Sequence, residues 1–217
     1  MQTVASEFLV LLCILALVAM VAVYFKYAVP YLSKNLFPKG THSSRRKIIE
    51  PAKLLLTTTS VVTEYHEFLI PKKDGTSRVI HAPSDTLKDI QKNLLGSLNT
   101  SLRMPSYVSG FCRGRSLRDN ARAHVGKEVV INIDVENFFP SFTLAKVEKA
   151  LGTLNILKGV IPEAVRMTTY RGSLPQGAPT SPFIANLAFI PVDEAILVLL
   201  KKYDPDVGYT RYADDIT

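Results

Sequence analysis

Gly208-Tyr209-Thr210-Arg211-Tyr212-Ala213-Asp214-Asp215-Ile216-Thr217 is the stretch that decides the reading of this 217-residue chain. It reads as a strand entering a turn, and the turn carries two adjacent carboxylates. Upstream, Asp134 stands at the end of Val129 to Val135, a short β-branched run that marks a buried strand. A carboxylate at a strand end faces a ligand while its backbone stays fixed. Paired strands bearing Asp134 and Asp214 can hold two hard cations about 4 Å apart, as two-metal phosphoryl transfer requires. Oxygen-only ligands suit Mg2+. Taken singly, Asp-Asp is also ordinary turn chemistry, and Asp134 an ordinary helix cap.

The segments before the turn alternate in type. Phe68-Leu69-Ile70 and Arg78-Val79-Ile80 flank Lys72-Lys73-Asp74-Gly75, and Asp-Gly between apolar runs signals a hairpin. Ser84 caps a helix whose apolar face is Leu87, Ile90, Leu94, Leu95 and Leu98. Residues 103–127 are loop-rich and basic, with Arg103, Arg113, Arg115, Arg118, Arg122 and Lys127 against Asp119 alone. Such a stretch suits phosphate contacts to a template, although charge runs are usually solvated faces. Thr143 caps a second helix with Leu144, Val147 and Leu151 inward. Ser181-Pro182 opens a third, which Pro191 should kink or end. This order predicts an α+β domain.

Composition sets the frame. Hydrophobic content of 47% and charged content of 21% describe a folded chain. The net charge of +7 is concentrated, because Lys34, Lys39, Arg45, Arg46 and Lys47 follow one another with no acid between them. Cys13 and Cys112 build neither a disulfide framework nor a zinc site. Phe8 to Phe25 is an unbroken apolar run between Glu7 and Lys26, close to the length that spans a hydrocarbon core. A core helix is rarely apolar on every face, and a cleaved signal peptide normally has a basic start that Met1–Glu7 lacks. We therefore read residues 8–25 as a retained single-pass anchor. The basic residues after it place the C-terminal domain in the cytoplasm. The expected organisation is an anchor with its flanks at 1–33, a basic linker at 34–60 and a catalytic domain at 61–217.

Four boxes then carry a family resemblance. Tyr212-Ala213-Asp214-Asp215 resembles the YxDD box of reverse transcriptases. Ile133-Asp134-Val135-Glu136-Asn137-Phe138-Phe139 resembles their first palm aspartate motif. Leu174-Pro175-Gln176-Gly177-Ala178-Pro179-Thr180-Ser181-Pro182 resembles the box between them, and Arg78-Val79-Ile80-His81-Ala82-Pro83 a fingers motif. The four stand in family order. Asn120-Ala121-Arg122-Ala123-His124 is similar to an element typical of retron enzymes, as are Ser109-Gly110-Phe111 and Gly114-Arg115-Ser116 before it.

The resemblance implies a right-handed polymerase fingers and palm with an antiparallel palm sheet. It implies that Asp134, Asp214 and Asp215 are catalytic, and that with the Val135 carbonyl they ligate two Mg2+ ions. Phe139 falls where a bulky side chain excludes a 2′-hydroxyl, with Phe138 the better core residue by alternation. Lys72 and Arg78 fall where the fingers grip a triphosphate, although a solvated hairpin explains Lys72 equally well. Gln176 would line the nucleotide pocket, and Tyr212 would lie near the primer end. Arg113, Arg115, Arg118, Asn120 and His124 would meet RNA. The implied activity is RNA-directed DNA synthesis from dNTPs on a structured RNA that serves as template and primer, passing through an RNA–DNA hybrid, with a role in phage defence beside an unidentified effector. The implied location is the bacterial inner membrane.

Two departures stand out. Family members continue past the YxDD box into a return strand and a helical thumb, whereas here only Ile216 and Thr217 follow. The expectation is a fragment of a longer protein, with the thumb missing, the hairpin half-built and its sheet edge open. A membrane segment also stands where retron enzymes usually begin with a soluble helical segment. A reading of another class is a truncated, membrane-tethered RNA-binding remnant that no longer polymerises. An RNA-directed RNA polymerase shares the palm logic, and Phe139 argues against it.

Overall fold

The computed structural model describes residues 62–217. The expected anchor at 8–25 and linker at 34–60 lie outside the described residues. Among the described residues the chain divides into two compact units, one of residues 62–189 with Gly208–Thr217 and the other of Ile190–Val207. The first unit carries all four boxes.

Its first element is the expected hairpin. Strands β1 (Tyr65–Pro71) and β2 (Ser77–Pro83) pair antiparallel from Tyr65↔Pro83 to Pro71↔Ser77. Local chemistry closes the turn. Gly75 takes a φ of 83°, Asp74 accepts from the Thr76 backbone and hydroxyl at 2.9 and 2.6 Å, and Lys72 N–H donates to the Thr76 carbonyl at 2.7 Å. The hairpin stands largely in solvent, with Phe68, Leu69, Ile70 and Val79 exposed.

Helix α1 (Asp85–Ser101) follows, burying Leu87, Ile90, Leu94 and Leu98 as its periodicity predicts, while Leu95 is only half-buried. Ser84 occupies the N-cap without a side-chain cap bond. Gln91 is also buried on this face, donating to Tyr65 Oη at 2.9 Å and to the Met167 carbonyl at 2.7 Å. Burial pushes the Tyr65 phenol up to about 12, against the lowering effect of that Gln91 bond.

The basic stretch contains α2 (Leu117–Arg122), opened by a full capping box between Ser116 and Asp119. Beyond it the expected buried strand shrinks to β3 (Ile133–Asp134). Val129, Val130 and Ile131 are exposed, because only Ile133 and Asp134 find a ladder partner. β-Branched composition favours a strand, but burial needs a neighbour on the face. Helix α3 (Leu144–Gly152) buries Val147, Ala150 and Leu151, while Leu144 stays exposed and Thr143 makes no side-chain cap bond. A single 3-10 turn (Asn155–Leu157) and α4 (Ile161–Thr168) complete this layer.

Helix α5 (Ser181–Tyr203) starts at the Ser-Pro pair as predicted. Pro191 does not end it; the helix runs on to Tyr203, and the boundary between the two units falls within it at Ile190. By length and composition α5 could cross a membrane, yet half of that stretch is buried, as in a core helix.

The last elements are β4 (Arg211–Tyr212) and β5 (Asp215–Ile216). They form an antiparallel sheet in the order β3-β5-β4. The expectation of a half-built hairpin is corrected here: the residues after the turn are its return strand and the centre of the sheet. Two bonds between Thr210 and Thr217, at 3.0 and 2.9 Å, extend the ladder. The outer edge of β4 is covered too, because Arg211 N–H donates to the Tyr107 carbonyl and Ser109 N–H to the Arg211 carbonyl, both at 2.8 Å, in a parallel bridge.

Candidate active site

The register brings the three expected carboxylates to one place. Asp134 on β3 lies directly opposite Asp215 on β5, and Tyr212 on β4 lies opposite Asp215 on the other side. Directly opposed residues of antiparallel strands project from the same face. Asp214 sits in the two-residue turn between the strands, beside Ala213 at a φ of 60°. Val135 N–H donates to the Asp214 carbonyl at 3.0 Å, tying the end of β3 to the turn.

The electrostatics of this cluster are unbalanced. Desolvation, then the charges of Asp214 and Asp134, hold the Asp215 carboxyl above its ordinary range. The charges of Asp134 and Asp214 both act on Asp215, and among the described residues no Lys, Arg or His forms an ion pair with any of the three. Nor do three His, Cys, Asp or Glu side chains among the described residues close around one point as a metal-holding group. By chemistry the donor set suits a hard divalent cation, all oxygen and under-neutralised, although the three carboxylates do not close around one point.

A buried scaffold holds the turn, and sequence reasoning did not single it out. Arg211 is fully buried. Its Nη1 donates to the Ala213 carbonyl at 2.9 Å and to Asn186 Oδ1 at 2.8 Å, and its guanidinium lies 4.7 Å from the Phe189 ring centroid. Asn186 Nδ2 donates to the Gly110 carbonyl at 2.8 Å. Gly110 is packed so closely that a Cβ there would come within 2.3 Å of Ala213 N. One sequence signal points to this network: Asn186 is a lone amide in the apolar run Phe183 to Ile190, and a buried amide needs partners.

Phe138 and Phe139 divide as expected. Phe138 is buried against Phe142 and Phe189, with ring centroids 5.1 and 5.7 Å away. Phe139 is half-buried, and its ring lies 6.4 Å from that of Phe111. The Gln176 loop docks on the fingers hairpin through the bond from His81 N–H to the Gln176 carbonyl, 2.8 Å long. Gly177, at a φ of 123°, lets it approach; a Cβ there would lie 2.7 Å from Ile80 Cγ2. Lys72 and Arg78 remain exposed on the hairpin, without a hydrogen bond or ion pair to the carboxylates.

The expected RNA-contacting residues separate into two groups. Arg113 and Arg118 are exposed, so they are open to phosphate. Arg115 is engaged inside the fold: its guanidinium donates to the carbonyls of Met104, Pro105 and Val108. Asn120 is buried. His124 Nε2 bonds Thr210 Oγ1 at 2.7 Å, on the residue before β4. Desolvation, then the Lys127 charge, lowers the His124 pKa.

A strand-borne aspartate facing an acidic hairpin, together with a second hairpin docked on the Gln176 loop, fits the palm and fingers of a template-directed polymerase. Similarity to known proteins narrows that class. Residues 70–217 match the family described as reverse transcriptase (RNA-dependent DNA polymerase). The retron Mx162 reverse transcriptase of Myxococcus xanthus is 38% identical over 173 residues, covering 71% of this chain and 35% of the relative. The retron Mx65 enzyme of the same organism is 34% identical over 174 residues, covering 72% and 40%. The retron Ec86 reverse transcriptase of Escherichia coli is 34% identical over 173 residues, covering 78% and 52%. This chain belongs to the reverse transcriptase family, and its similarity is to the retron type. It spans between about a third and about half of the length of these curated relatives. Family membership implies dependence on a divalent metal in general.

Proposed function

We propose that the protein is an RNA-directed DNA polymerase of retron type, extending a primer hydroxyl on a structured RNA with dNTPs. The observation that carries this reading is the carboxylate cluster: Asp134 opposite Asp215, with Asp214 in the turn and no basic partner among the described residues. Asp134, Asp214, Asp215 and the Val135 carbonyl would hold two Mg2+ ions. When bound, these cations would favour the deprotonated primer hydroxyl and offset charge on the leaving pyrophosphate.

The chain's own residues divide the remaining work. Phe139, half-buried against Phe111, would bar a 2′-hydroxyl from the sugar site. Gln176 would line the nucleotide pocket, in a loop tied to the fingers through His81. Arg78 and Lys72 would grip the triphosphate, Arg78 through a bidentate fork. Tyr212, on the carboxylate face, would lie near the primer end. Arg113 and Arg118 would meet template phosphates; Arg115, Asn120 and His124 would support that surface from within. Membrane anchoring through residues 8–25, a cytoplasmic catalytic domain and a role in phage defence with an effector complete the proposal.

Primer extension on an RNA template by the complete gene product, with dNTPs and rNTPs offered separately in Mg2+, tests it. The expected result is incorporation of dNTPs and little of rNTPs. Exclusive use of rNTPs would instead identify an RNA polymerase. RNA binding without incorporation of either would identify the non-polymerising remnant.

A further inference from the structure

We infer that Arg211 is a positioning residue for the acidic turn, its buried guanidinium fixing the peptide between Ala213 and Asp214 and thereby the direction of the Asp214 carboxylate. The inference rests on the metal-dependent polymerase reading above and extends it to a residue outside the carboxylate cluster.

Two peptide planes flank Asp214. The carbonyl that Arg211 Nη1 holds at 2.9 Å belongs to Ala213, so it shares its plane with the Asp214 N–H. The next carbonyl, that of Asp214, accepts from Val135 N–H at 3.0 Å. Asp214 is therefore pinned on both sides, and its Cα–Cβ bond has little freedom to swing. Only Val135 comes from the strand that bears Asp134. The Arg211 arm is independent of it, anchored by Asn186 on α5 and by the face of Phe189.

The turn needs such an arm. Ala213 has a φ of 60°, a conformation that an L-residue with a Cβ holds only when its surroundings impose it. Gly110 presses on the nitrogen side of Ala213, Arg211 binds its carbonyl, and Asn186 links the two through the Gly110 carbonyl. A buried cation is costly to maintain where an apolar side chain would serve packing alone. Lysine would keep the charge but lose the planar face against Phe189 and the fixed directions of two N–H bonds. Groups that orient metal ligands typically change affinity or activity by about 10–100-fold when altered.

The test uses the complete gene product with Arg211→Lys, and Asn186→Ser as a milder second variant that leaves Arg211 in place. Three quantities are read: thermal unfolding, Mn2+ binding by electron paramagnetic resonance without nucleotide, and kcat with KM for a dNTP. The expected result is a folded Arg211→Lys protein with Mn2+ affinity and kcat each reduced by about tenfold or more. KM should stay within about twofold of wild type, because the substitution leaves the nucleotide pocket intact. Asn186→Ser should move Mn2+ affinity and kcat the same way by a smaller factor, and it decides the matter if Arg211→Lys fails to fold. A folded variant with wild-type Mn2+ affinity and wild-type kcat overturns the inference, leaving Arg211 a core residue only. So does a wild-type protein that binds no Mn2+. A wild type that binds Mn2+ yet incorporates no dNTP refutes the polymerase reading alone, and the metal-binding arm still judges Arg211.

Discussion

The fingers hairpin and the palm hairpin obtain their order from different sources. β1–β2 pairs seven residues on each side around a turn closed by its own Asp74, Gly75 and Thr76. β4–β5 pairs two residues on each side, around a turn whose shape comes from Val135, Arg211 and Gly110. The first hairpin is long, solvated and locally encoded. The second is short, and its own Arg211 is joined by Val135, Gly110 and Asn186, which are distant in sequence, in holding it. In the proposed function the first hairpin would grip a substrate, a task that tolerates solvent and movement. In the same proposal the palm carboxylates would meet a metal ion, which needs a backbone fixed to a fraction of an ångström, and that precision comes from packing.

The largest expected effect that sharpens this contrast is at Gly110. Gly110→Ala drives a methyl into the backbone of Tyr212 and Ala213, which has nowhere to go. We expect about 3 kcal/mol of destabilisation by chemical denaturation, together with weakened Mn2+ binding. A Gly110→Ala protein as stable as wild type would break the claim that the palm turn is shaped from outside.

Gly177→Ala is the counterpart at the fingers. Its φ of 123° and the Ile80 methyl 2.7 Å away predict about 1–2 kcal/mol of destabilisation. Here Mn2+ binding should be unchanged, while KM for dNTP should rise as the Gln176 loop lifts from β2. Loss of metal binding in this variant would mean that the two hairpins are not separable.

The smallest effect is electrostatic and concerns the carboxylates themselves. The folded-state pKa of Asp215 is raised, so the folded protein binds a proton there more readily than the unfolded chain. That contribution is fully present below the ordinary carboxylate range and is lost as pH rises through the folded value. Asp215→Asn should therefore raise the melting temperature at neutral pH without divalent metal. The gain should vanish in acid, and Mg2+ should stabilise wild type more than the variant. A variant less stable than wild type at neutral pH would contradict the crowding of charge at this site.

The same contrast explains what the sequence makes legible. Asp74-Gly75 announces its hairpin because the turn chemistry is local. The helical face of Leu87, Ile90, Leu94 and Leu98 follows from period alone. The acidic boxes are readable as residue types in order, and the strand register then sets Asp134 opposite Asp215. The Arg211 network is hidden, since an arginine in a strand reads as a solvated residue until the partners of its guanidinium are known. The contacts of Arg115 are hidden in the same way: a charge in a basic run, it donates to three backbone carbonyls. Val129 to Ile131 mislead in the opposite sense, as β-branched residues without a strand partner. The return strand escapes a sequence reading because it is two residues long, yet Asp215 and Ile216 pair on both sides and form the centre of the sheet.

The most direct test of the central claim, that the acidic hairpin is the metal-binding centre of an RNA-directed DNA polymerase, is Asp214→Asn in the complete gene product. DNA synthesis on an RNA template and RNA affinity are measured in parallel. We predict that synthesis falls by at least about 10²–10³-fold, the scale set by losing one preorganised charge, while RNA affinity changes little. Wild-type synthesis by the variant would contradict the claim.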